Sequence, residues 1–161
     1  MRGMAGGESR MNHPSVYAGR PPRVLLEMRN GGEAFARLRL LQTAGYEVSW
    51  CPGPEGHPVR RCPLMNGDVC PLVESADVLV CALGLDQQSG REVLDALHRT
   101  RPELPVVVET TASQAERWEP LVAHHRVVNA PTSAKDLVTA VNQAMAALVP
   151  ADLRDSTQPE G

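Results

Sequence analysis

Three short apolar runs without a polar interruption, Val24-Leu25-Leu26, Val78 to Leu83 and Val106-Val107-Val108, constrain this chain more than any other feature. Side chains along a strand point alternately to opposite faces, so a continuous apolar run needs cover on both sides. Between these runs lie segments with helical spacing. Phe35, Leu38 and Leu41 recur over 33–44, and Val93, Leu94 and Leu97 share one face over 90–99. A third helix is predicted over 113–123. A fourth, over 133–148, carries a stripe of Leu137, Val138, Val141, Met145 and Leu148. Tyr46 to Trp50 alternates as a further strand, and Arg126-Val127-Val128 reads as the last. Asn30-Gly31-Gly32 breaks the first strand from its helix. Gly45 suits the position after a helix end. Ser133, with Asp136 three residues on, suits a helix start. Alternating strands and helices imply an α/β fold: a five-stranded parallel, doubly wound sheet of flavodoxin-like type. Ligands of such sheets bind at the carboxyl ends of the strands.

Of the 161 residues, 42% are apolar, enough for a core, and only 3% are aromatic, so that core must be aliphatic. A net charge of −3 excludes a strongly basic nucleic-acid module. Residues 1–22 and 150–161 are rich in Gly, Ser, Pro and polar groups without periodicity. They are expected to be a disordered leader and tail around a domain at 23–149. No apolar run approaches the ~18 residues of a membrane helix. The first ten residues lack the apolar stretch of a secretory signal. The expectation is a cytoplasmic protein that binds neither membrane nor nucleic acid.

Several segments, in order, carry a family resemblance: Arg23-Val-Leu-Leu, Leu41-Gln-Thr-Ala-Gly-Tyr-Glu-Val-Ser, Ala76-Asp-Val-Leu-Val-Cys-Ala-Leu-Gly-Leu, Ser89-Gly-Arg-Glu-Val-Leu, Leu104-Pro-Val-Val-Val-Glu-Thr and Asn129-Ala-Pro-Thr-Ser-Ala-Lys-Asp-Leu. Over about 23–148 the chain resembles the receiver (CheY-like) domain of bacterial two-component response regulators. The resemblance implies the strand order 2-1-3-4-5. It also implies a phosphoryl-acceptor Asp after the third strand, two metal-binding acids after the first, a hydroxyl after the fourth and a Lys before Pro after the fifth. Here the acceptor position is Ala82, the acid pair falls on Met28 and Arg29, and the Lys position is Ala130, followed by Pro131. A one-residue shift would bring in Glu27, but one carboxylate beside a guanidinium is a poor Mg²⁺ site. Only the hydroxyl survives, as Thr110 or Thr111, and the aromatic switch position falls near Val127. The expectation is a degenerate pseudo-receiver that forms no aspartyl phosphate. Asp77, at the far end of the third strand, and Asp86, in the loop after it, are not placed to substitute.

Family receivers place a helix between the second and third strands. Here the segment 51–72 holds prolines at 52, 54, 58, 63 and 71, which exclude a regular helix over most of it, leaving a turn at Leu72 to Ser75. It also holds Cys51, His57, Cys62 and Cys70. These could ligate Zn²⁺ or an Fe–S cluster, although the spacings match no standard pattern. A pair could instead form a redox-responsive disulfide, with Arg60 and Arg61 lowering the pKa of Cys62. The Cys-Pro pairs could act as haem-responsive motifs, or the thiols could simply be small apolar residues in a stiff loop. Cys81, in the central strand, is expected in the core. His124 and His125 suit cations at a helix end. Trp118, on the penultimate helix, is either a partner surface or half-packed on the sheet. The leading expectation is a stand-alone, non-enzymatic signalling module without a cofactor. It would bind a protein partner or a second copy through the face of its fourth helix, fifth strand and fifth helix. The alternative is a metal- or redox-sensing protein using the Cys51–Cys70 loop.

Overall fold

The computed structural model describes residues 19–56 and 62–148. His57, Arg60 and Arg61, and the stretches expected to form the leader and tail (bar Gly19 to Pro22), lie outside them. Five parallel strands form one sheet: β1 (Arg23–Glu27), β2 (Glu47–Cys51), β3 (Val78–Cys81), β4 (Val106–Thr110) and β5 (Arg126–Asn129), in the order β2-β1-β3-β4-β5. This is the predicted order. The connecting helices are α1 (Gly31–Thr43), α2 (Pro71–Ser75), α3 (Gln88–Thr100), α4 (Ala112–Arg117), α5 (Glu119–Val122) and α6 (Ala134–Ala146).

The apolar runs give two cores, one on each face. Leu25, Leu79, Cys81, Val106 and Val108 pack with Val73 of α2 and Val93, Leu94 and Leu97 of α3. Val24, Leu26, Val78, Val80 and Val107 pack with Leu41 of α1 and Leu137, Val141 and Met145 of α6. Each fully buried Leu or Val side chain is worth roughly 1.5–3 kcal/mol. The edge strands β2 and β5 are largely exposed, as their mixed composition requires.

Local chemistry sets the boundaries. Asn30 caps α1 through its side-chain oxygen, which accepts from the Gly32 and Glu33 amides. Gly31 and Gly32 therefore begin the helix rather than only breaking the strand. At the other end the Gly45 amide bonds the Gln42 carbonyl and the Tyr46 amide bonds that of Leu41, with Gly45 at φ +99°. This double bond pattern stops the helix where a left-handed residue is needed. Ser133 caps α6 by accepting from the Asp136 amide at 3.1 Å. Asp77 clamps the amino edge: Arg20 donates to it at 2.7 and 3.0 Å, and the Arg23 amide at 2.8 Å. Burial alone would raise its pKa, but Arg20 and the Arg23 amide reverse that and hold it below its ordinary value.

Four expectations need correction. The predicted helix over 113–123 is two helices. Pro120 has no amide to continue α4 and its ring would meet the carbonyl four residues earlier, so the chain bends at Trp118, φ −112°. Phe35 is exposed, because α1 turns Ala34 and Leu41 inward instead. Leu148 is also exposed, since α6 ends at Ala146. The 51–72 segment is less irregular than its prolines suggest: 3-10 turns form at Pro54–Gly56 and Pro63–Asn66, and Pro63 and Pro71 open their helical turns, where a missing amide is tolerated.

The start of α3 presses on the loop after β3. A Cβ on Gly90 would lie 2.2 Å from the Gly84 carbonyl oxygen. Gly90→Ala is therefore expected to lower stability by about 1–3 kcal/mol through overpacking, read as a shift in urea midpoint with an unchanged slope.

Candidate functional site

The carboxyl edge of the sheet gathers the positions singled out from sequence. Ala82 follows β3 and donates its amide to the Glu27 carbonyl at 2.8 Å. Its methyl packs with the α1/α6 core. Met28, directly after β1, is buried in the same core. Thr110 ends β4 buried, and its carbonyl accepts from the Ala130 amide at 2.9 Å. The Ala130-Pro131 peptide is cis. Thr111, not Thr110, caps α4 by accepting from the Gln114 amide. Arg29 crosses this edge: its Nη2 donates to Ser89 Oγ at 2.7 Å and lies 3.2 Å from Glu55 Oε2. Met28, Ala82, Thr110, Ala130 and Pro131 thus meet around one edge. They offer methyl groups, a thioether and one buried hydroxyl, with a guanidinium already occupied by Ser89 and Glu55. None of these side chains is a carboxylate, the group a hard divalent cation prefers.

Glu27 does not join this edge as a metal acid. Strand alternation places it on the Leu25 face, toward α2 and α3. Its register partners are Cys51 on β2 and Cys81 on β3. Glu27 is 3% exposed, and its Oε2 is buried without a hydrogen-bond partner. Burial raises its pKa to about 7. Cys51, Cys62 and Cys70 pack against the same core as Cys81, which is buried as expected. All four are thiols. Burial, then the charges of Glu27, Cys62 and Cys70, push Cys51 up to about 11, against a hydrogen bond from the Gly53 backbone. Cys62 is also raised, chiefly by burial. The arginines expected to lower the Cys62 pKa, Arg60 and Arg61, lie outside the described residues.

Among the described residues, no three His, Cys, Asp or Glu side chains are placed to hold an ion, and His57 lies outside them.

Trp118 sits at the bend between α4 and α5, half-buried against the α2/α3 core. The Arg91 guanidinium lies 4.4 Å over its ring, and Arg117 lies 5.5 Å from the ring centroid. The indole is also the floor of a groove of about 660 Å³, walled by Gln88, Glu92 and Asp95 of α3 and by Leu121 of α5. Trp118 Nε1 and Gln114 Oε1 are buried without hydrogen-bond partners. The groove faces α3 rather than β5, which moves the Trp118 surface away from the face expected. At the opposite, amino edge, His98 stacks on His124 at 5.7 Å beside a cavity of about 770 Å³. Burial and the charges of His98 and His124 lower the His125 pKa. Sequence signalled His124 and His125 as a helix-end pair, but not their meeting with His98, which comes from α3.

Glu27 makes a stability prediction with a definite sign. Its folded pKa, about 7, lies above the ordinary glutamate value of 4.5. Its favourable contribution is therefore complete below pH 4.5 and is lost as pH rises toward 7. The loss amounts to about 3 kcal/mol at most. Glu27→Gln removes this loss, so its thermal midpoint should exceed that of the parent at pH 8 and match it near pH 4.5 in melts followed by circular dichroism.

No protein-family model matches the chain, and no curated protein matches it. Solved structures do. A response regulator receiver domain protein from Clostridium thermocellum superposes with a TM-score of 0.60 at 17% identity, over 78% of this chain and 95% of that one. A response regulator receiver protein from Sinorhizobium medicae gives 0.60 at 17%, over 80% and 98%. A structure described as a novel family of redox sensors in the streptococci, evolved from two-component response regulators, gives 0.60 at 15%, over 87% of this chain and 58% of that one. At these identities the likeness is one of fold: the chain has the five-stranded architecture of response regulator receiver domains.

Proposed function

We propose that this chain is a receiver-fold signalling module, not an enzyme, which acts by binding a protein partner or a second copy and does not pass through an aspartyl phosphate. The observation that carries the reading is Ala82 at the end of β3. A methyl group stands at the strand end where the resemblance to receiver domains implies an acceptor carboxylate. Buried Met28, and Arg29 tied to Ser89 and Glu55, support it, because these positions supply no carboxylate pair to hold the divalent cation that would neutralise a transferring phosphoryl group. Asp77 is engaged by Arg20 and the Arg23 amide at the amino edge, away from Ala82. The groove over Trp118 is the surface best suited to a partner. It presents an aromatic ring and charges of both signs from Arg91, Glu92 and Asp95. Buried aromatic anchors dominate the energetics of such contacts.

A second reading, thiol-based sensing, is favoured by Cys51, Cys62 and Cys70 packing on the same face as buried Glu27. One structural neighbour, 58% of whose length this chain covers, is described as belonging to a family of redox sensors evolved from response regulators, which supports the reading.

Incubation with acetyl phosphate and Mg²⁺ should leave the intact mass unchanged. A stoichiometric phosphoryl adduct mapped to Asp77 or Asp86 would overturn the phosphorylation-independent reading. Trp118→Ala should weaken self-association or partner capture by tenfold or more, about 1.4 kcal/mol, in size-exclusion chromatography with light scattering. Unchanged assembly would remove the groove from consideration.

A further inference from the structure

We propose that the cleft at the amino edge of the sheet binds a small organic anion, an acidic head on an apolar body, and holds it more tightly as pH falls. The site lies at the opposite end of the strands from Ala82 and is independent of the partner-binding reading.

Three of the chain's five histidines meet here. His98 comes from the last turn of α3, and His124 and His125 from the loop between α5 and β5. The rings of His98 and His124 stack, with centroids 5.7 Å apart and planes 11° from parallel. All three histidines line one cleft of about 770 Å³, a size that holds a small molecule.

The floor of the cleft differs in chemistry from its rim. Leu97, Leu104, Val106 and Ala144 are buried side chains of α3, the loop before β4, β4 and α6. Leu148, beyond the end of α6, adds an apolar wall that is 45% exposed. Cover for these groups calls for an apolar body. The rim carries charge. His98 and Arg101 come from the end of α3, Glu103 from the loop before β4, His124 and His125 from the loop before β5, and Arg126 from the start of β5. The α6 wall adds Gln143 and no charge. Glu103 is the one acid in this lining, and it pairs with Arg101, which also bonds Glu74. Arg126 is exposed and, among the described residues, makes no ion pair. A chain of net charge −3 thus gathers cationic groups here that its own carboxylates do not match.

This edge collects helix carboxyl ends, whose carbonyls repel an anion, so the attraction has to come from the side chains. Arg126 supplies it at every pH. The imidazoles supply it conditionally, because histidine changes charge between pH 5 and 8. Burial, and then the charges of His98 and His124, hold the His125 pKa below its ordinary 6.5. An anion among the three rings offsets their mutual repulsion and favours their charged forms. Binding therefore takes up protons, and by reciprocity a lower pH strengthens binding.

The test titrates the full-length chain with benzoate by isothermal calorimetry at pH 6 and pH 8, between which the benzoate charge is constant. Affinity should be about tenfold higher at pH 6. Benzamide, the same shape without the charge, should give no measurable heat. Inorganic phosphate, a head without the body, should bind about tenfold more weakly than benzoate at pH 6. Arg126→Gln should weaken benzoate about tenfold and keep the pH dependence, whereas His98→Asn combined with His124→Asn should abolish that dependence. In the unsubstituted protein, amide shifts on adding benzoate should centre on the end of α3 and the start of β5, a readout that no folding defect can confuse. No benzoate binding at pH 6, equal binding of benzamide, or shifts centred elsewhere would overturn the site. Equal affinity at the two pH values would overturn the role of the histidines. Phosphate binding as tightly as benzoate would overturn the apolar body.

Discussion

Burial of both faces of β3 is the constraint on which the rest of the structure depends. Val78, Leu79, Val80 and Cys81 are each at most 2% exposed, two facing α3 and two facing α6. A strand sealed in this way cannot carry a polar side chain in its interior without a partner. Chemistry is therefore pushed to its carboxyl end, where the loops to Gly84 and Gly90 close tightly. In this chain that end holds Ala82, and the neighbouring strand ends add Met28, Thr110 and Ala130. The architecture delivers residues to the customary place, and the residues delivered are chemically quiet.

The polar investment lies elsewhere. Glu27, one strand over, sits on a core face among thiols. The Trp118 groove, on the same side of the sheet, pairs an aromatic ring with two guanidinium groups. Both belong to the layer formed with α2 and α3, the layer in which the 51–72 segment replaces a regular helix. That layer combines the thirteen-residue α3 with the short α2 and two 3-10 turns, whereas two thirteen-residue helices, α1 and α6, cover the other face.

Particular elements show how far the sequence can be read. The strand runs and the caps at Asn30, Gly45 and Ser133 are local signals, set by side-chain alternation and by which backbone groups a neighbour can satisfy. The bend at Trp118 was written in Pro120, but apolar residues on either side continue a helical period across it and mask the break. Phe35 fits the apolar spacing of α1, yet it points outward, because the helix rotates Ala34 and Leu41 into the limited space beside α6. The Cys62 pKa is raised chiefly by burial, an effect that its neighbours in sequence do not signal.

The sequence by itself determined the parallel sheet, its two apolar layers and the methyl side chain of Ala82 at the end of the third strand, since each follows from residue type and short-range order. Only the tertiary structure decided that Glu27 faces Cys51 and Cys81, that Cys62 packs on the same core and that Arg91 covers Trp118. These residues lie tens of positions apart along the chain. Register and packing bring them together, and spacing in one dimension carries no record of that.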